Sequence, residues 1–163
     1  MKGRGRVVVW FAAIALAGFA WAGAASGETL FAAMLDGANN HPPTGSGGTG
    51  TATLILNDEE TEVSYVVTYE GLEGAELDCH FHQGGPGEDG IILHHLPLGT
   101  PKFGVWEVSL HDVGDLYSDN VYINIHTTAY PSGEIRGNIS QATASAEEER
   151  LADSWGQIKA LFR

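Results

Sequence analysis

Residues Thr51–Tyr69 read TATLILNDEETEVSYVVTY, and this stretch decides the fold. Ala52, Leu54 and Leu56 alternate with Thr51, Thr53 and Ile55. After Asn57-Asp58-Glu59-Glu60, Val63, Tyr65, Val67 and Tyr69 alternate with Glu62, Ser64, Val66 and Thr68. A period of two places alternate side chains on opposite faces of an extended strand, so two such runs joined by a short polar turn predict an antiparallel hairpin.

The same pattern extends in both directions. Upstream, Glu28–Leu35 predicts a strand with Leu30, Ala32 and Met34 alternating. The loop 36–50 contains Gly45-Ser-Gly47-Gly-Thr-Gly50, which matches the spacing of a dinucleotide-binding glycine motif. A strand follows it rather than a helix, so no helix N-terminus is available to receive a phosphate, and the match is dismissed. Downstream, strands are expected over 75–82, 91–96, 105–110, 121–127 and 134–140, with 84–90 and 114–120 as breaks. Many short strands between Gly/Pro turns, with no helical period among them, predict an all-β, immunoglobulin-like antiparallel sandwich or barrel over residues 28–140.

The two ends differ from this body. Lys2, Arg4 and Arg6 precede an uncharged run, Val7–Ala25, that closes on the small residues Ala22-Gly23-Ala24. This is the pattern of a secretory signal peptide over residues 1–25, with an uncleaved membrane anchor as the alternative. Either form exports the remainder to a periplasmic or extracellular compartment. Residues 141–163 predict an amphipathic helix. Ser145-Ala-Glu147-Glu148 fits a capping box, and Leu151, Trp155, Ile158 and Phe162 form one apolar stripe. That stripe suits docking on the chain's own sheet or on a protein partner. Its acidic polar face argues against an anionic bilayer.

The formal charge is −13, and loss of the basic leader would leave a more acidic chain. Such a surface repels phosphate backbones, which argues against nucleic acid as a partner. Cys79 is the sole cysteine, so no intrachain disulfide exists, and a buried, inert thiol is the expected state. Oligomeric state is not fixed by any of these features.

The chemistry concentrates in histidine. In His80-Phe81-His82 the two imidazoles share one strand face, and in Val121-Tyr-Ile-Asn-Ile-His-Thr127 His126 shares a face with Tyr122 and Asn124. If the two strands are neighbours, three imidazoles converge. The result is either a transition-metal site or a polar patch on a sheet. Only one of the adjacent His94 and His95 can join easily, because they face opposite ways. Asp78, Asp89 or Glu134 is available to orient a ring. Imidazole donors suit copper or zinc. Glu134 and Arg136, two apart, are expected to form a structural ion pair or turn clamp.

The chain resembles the CHRD domain, the module recognised as repeats in chordin and found singly in exported bacterial proteins. The resemblance is carried by Phe31–Gly37 with Pro42-Pro43, Gly50–Leu54, Tyr65-Val66-Val67 and Gly71-Leu72. His80-Phe-His-Gln-Gly84 follows, and then Val121–Thr127 leading to Pro131-Ser-Gly-Glu-Ile-Arg-Gly137. It implies an immunoglobulin-like β-barrel distantly similar to copper/zinc superoxide dismutase, and an exported binding module without an established enzymatic activity. The His-x-His pair resembles the copper-ligand strand of that dismutase. The dismutase's disulfide cysteines and dense zinc loop have no counterpart here. The expectation is therefore a non-enzymatic binding module. A copper or zinc protein using His80, His82 and His126 is the alternative, and an enzyme ranks third.

Overall fold

The computed structural model describes residues 27–142. The leader expected over 1–25 lies outside the described residues, as does the expected C-terminal helix from residue 143 onward. Eight strands and one helix follow in the order β1 (Thr29–Asp36), β2 (Thr49–Leu56), β3 (Glu62–Glu70), β4 (Glu76–Gln83), β5 (Ile92–His95), β6 (Lys102–Glu107), α1 (Leu110–Tyr117), β7 (Val121–Thr127) and β8 (Ile135–Gln141). The strands form one antiparallel sheet, ordered β5-β4-β7-β8-β1-β2-β3-β6, curled into a nearly closed barrel.

The hairpin β2–β3 pairs without interruption from Thr49↔Glu70 to Leu56↔Val63. Its turn is built by Asn57, whose side-chain oxygen accepts from the backbone N–H groups of Thr61 and Glu62. That local bond is why asparagine favours such positions. The alternation read from the sequence holds here, with Ala52, Leu54, Leu56, Val63, Tyr65 and Val67 all facing the core.

In β1 the opposite set is buried: Phe31, Ala33 and Leu35 point inward, and Met34 is exposed. Both faces of this strand are apolar, so alternation alone cannot choose between them. Pairing decides, because Phe31 lies opposite Leu54 and Ala33 opposite Ala52, and a slip of one residue would invert the strand. A second difference is α1, which takes residues expected to be strand and break. Ser109 caps it, its hydroxyl accepting from the N–H of Asp112, while the Asp112 carboxylate accepts from the N–H of Ser109. Val113 and Leu116 bury its inner face.

The edge strands β5 and β6 are not paired to each other, and side chains join the ends of the sheet instead. Trp106 of β6 packs against Phe81 of β4 and His94 of β5, and Tyr65 of β3 meets the same two rings. At one end of this seam Lys102 of β6, fully buried, pairs with Glu76 of β4 and donates to the Pro97 carbonyl. Glu76 also accepts from the Tyr69 hydroxyl and the N–H of Gly99. Glu76 faces inward because β4 carries an extra residue, Leu77, opposite the step from Thr127 to His126. Strict alternation would place Glu76 beside Asp78 and His80 on the outer face. The bulge inverts it.

Breaking a buried ion pair strands a charge, at a cost of about 3–5 kcal/mol. Lys102→Met is therefore expected to lower unfolding stability by about that amount in urea titrations. Adding Glu76→Gln should recover part of the loss by removing the stranded carboxylate.

Candidate metal centre

The outer face of β4 and β7 holds the histidines, opposite the face that bears Cys79, Phe81, Ile123 and Ile125 in the core. β4 pairs directly with β7, with Asp78↔His126, His80↔Asn124 and His82↔Tyr122 in register. The structure thus brings His80, His82 and His126 together, one donor atom from each lying within 4.8 Å of the others. The His80 ring centroid is 5.3 Å from that of His82 and 5.2 Å from that of His126. Two metal–nitrogen bonds of 2.0–2.1 Å span at most about 4.2 Å, a length of the same scale as this spread.

Though outside the barrel core, the cluster is largely withdrawn from water. His80 and His82 are only 6% and 8% exposed. The loop 84–90, which leads from β4 toward β5, is held over this face by Arg136 of β8. The guanidinium donates to the carbonyls of Gly85 and Glu88, lies 3.4 Å from Asp89, and stacks 3.4 Å over the Tyr122 ring. Tyr122 in turn stacks in parallel on His82, with centroids 4.8 Å apart. On the other flank Gly133, at φ 127°, lets the 131–133 turn close onto Asn124, whose side chain would collide with any β-carbon there.

The hydrogen bonds of the rings are asymmetric. His82 Nδ1 is 3.1 Å from the Gly90 carbonyl, and His126 Nδ1 is 3.0 Å from the Pro131 carbonyl. A carbonyl can only accept, so each Nδ1 carries the proton and each Nε2 keeps a free lone pair. Both Nε2 atoms are buried without a hydrogen-bond partner. His80 Nε2 lies 2.9 Å from Asp78 Oδ2, and its Nδ1 is buried and unpartnered. Burial lowers the pKa values of His80 and His82, outweighing the Asp78 carboxylate beside the former and the Gly90 carbonyl beside the latter. Both rings are neutral at pH 7, the state a metal requires.

Of the carboxylates expected to orient a ring, only Asp78 lies beside a ring of this cluster, that of His80. Asp89 goes to His41 and Arg136. Glu134 accepts from Ser46, Thr127 and the N–H of Glu73 on the far side of β7. The expected Glu134–Arg136 pair does not form, because the two side chains go to opposite sides of the sheet. Each acts instead as a clamp on a different loop. The orienting groups for His82 and His126 are backbone carbonyls, which side-chain chemistry in the sequence does not reveal. Of the two adjacent histidines, His95 lies on the His80 side, ring to ring at 4.5 Å, while His94 packs inward on Phe81. Cys79 is buried in the core, where desolvation pushes its thiol up to about 12.

An all-β barrel with a loop-covered imidazole cluster on its outer face defines the class of molecule. This chain belongs to the CHRD domain family, whose profile matches residues 31–139. No curated protein and no solved structure showed significant similarity.

Glu134 supplies a pH test of the clamp on loop 36–50. Burial opposes its ionised form, but donors from Ser46, Thr127 and the Glu73 and Gly74 backbone outweigh this and hold its pKa below the ordinary value. The stabilisation is complete above the unfolded glutamate value of about 4.3 and is lost as pH falls through the lower folded value. Glu134→Gln should cost about 1.5–3 kcal/mol at pH 7, with the gap to the parent closing below pH 4 in denaturant titrations.

Proposed function

We propose that this CHRD-domain protein is an exported, non-enzymatic binding module whose ligand is a copper or zinc ion, held by His80, His82 and His126. The observation that carries the reading is the pair of buried, unpartnered Nε2 atoms on His82 and His126, each on a ring fixed through Nδ1 by a backbone carbonyl. Burying an acceptor without a partner costs about 1–3 kcal/mol, and coordination would satisfy these lone pairs. A ring held through one nitrogen and open at the other is the usual form of a metal-ligating histidine. Export is supported by the basic and apolar leader, and by the occurrence of the family in extracellular and periplasmic proteins. Among the described residues no helix is long and apolar enough to cross a membrane.

The test is calorimetric titration of the purified chain, prepared without a polyhistidine tag, with Zn(II) and Cu(II). Binding is expected at micromolar ion or below, and His82→Ala or His126→Ala should weaken it at least about tenfold. Affinity should hold through pH 7 and the ordinary imidazole value of about 6.5, and fall only as pH drops through the lowered values of His80 and His82, where protons compete for the donors. No binding at micromolar ion, or binding that neither substitution alters, would overturn the proposal.

A further inference from the structure

We propose a second ion site at Asp78, His80 and His95, sharing the His80 ring with the first. It rests on the reading that His80, His82 and His126 bind a metal. One donor atom each from Asp78, His80 and His95 also lie within 4.8 Å of one another, so His80 belongs to two ligand sets at once. Its ring stands between them, 4.5 Å from the His95 ring on the β5 side and 5.2 Å from the His126 ring on the β7 side.

His80 differs from its two neighbours in its hydrogen bonding. His82 and His126 each spend Nδ1 on a backbone carbonyl, whereas His80 Nδ1 is buried without a partner and its Nε2 meets only the Asp78 carboxylate, 2.9 Å away. A ring with neither nitrogen committed to the backbone is open to two ions, one at each. Nε2, facing Asp78, serves the second site, and Nδ1 serves the first. The proton of the neutral ring leaves to solvent when the second ion binds.

The carboxylate is prepared for this role. Asp78 Oδ1 accepts from the N–H of Cys79 and lies 4.0 Å from His95 Nδ1, while Oδ2 faces His80. Asp78 adds the negative charge that three neutral imidazoles lack, and carboxylate with imidazole suits a divalent zinc or copper ion. The two sites also differ in access. His95 and Asp78 are 68% and 47% exposed at the side chain, so the second ion exchanges with solvent more freely than the first.

The experiment is metal counting by mass spectrometry after equilibrium dialysis of the untagged full chain against Zn(II) or Cu(II). It is paired with Cu(II) electron paramagnetic resonance. Two ions per chain are expected, falling to one in Asp78→Asn and in His95→Ala, both surface positions whose replacement leaves the core intact. The second Cu(II) should diminish the resonance signal, because the shared ring couples the two unpaired spins. One ion, unaltered by either substitution, would overturn the second site and leave the first standing. One ion weakened by these substitutions and by His82→Ala alike would replace both sites with a single larger one. Two ions giving a doubled signal would overturn the shared ring, and no ion at all would overturn both proposals.

Discussion

The extra residue in β4, Leu77, is the constraint on which both halves of this structure depend. Without it, Glu76 would share the outer face with Asp78, His80 and His82. With it, the strand enters the barrel facing one way and continues facing the other. Glu76 turns inward to meet Lys102 across the unpaired seam, and the next three even-numbered side chains turn outward to build the histidine face. A single bulge thus separates a buried charge that helps close the barrel from a donor set that lies outside it.

Closure by side chains rather than by a ladder has consequences for how the barrel is held. Ladder bonds between β5 and β6 are replaced by the aromatic contacts of Tyr65, Phe81, His94 and Trp106 and by one buried ion pair. Aromatic pairs of this kind contribute about 0.5–1.5 kcal/mol each beyond their burial. The ion pair is costly to desolvate, and its value lies in fixing where the two ends of the sheet meet.

The histidine face shows the reverse economy: polar groups buried where no core demands them. Arg136 is fully buried, yet it spends its donors on the carbonyls of loop 84–90 and its plane on Tyr122. Through Tyr122 it also sets the plane of His82. Burial disfavours the protonated form of both His80 and His82, and the nearby Arg136 charge adds to this at His82.

Much of this was legible in the sequence, for reasons that can be named. Alternation over Thr51–Tyr69 dictated the hairpin, because one face of each strand is apolar and the other is not. The spacing of His80 and His82 dictated a shared face, since a strand has a period of two. Other features needed the third dimension. In β1 both faces are apolar, and only pairing with β2 chose Phe31 over Met34 for the core. The helix α1 had a signal in Ser109-Leu-His-Asp112, but one capping box over eight residues is weak beside a strand-rich context. That His126 meets the His80–His82 pair depended on β4 and β7 being neighbours across 37 intervening residues, a choice made by packing. The carbonyls of Gly90 and Pro131 that hold the rings carry no side-chain identity at all, so no residue type could announce them. Local periodicity determined which residues could face one another. The bulge, the strand order and the loop covering decided which of them do, because those depend on contacts between segments far apart in the chain.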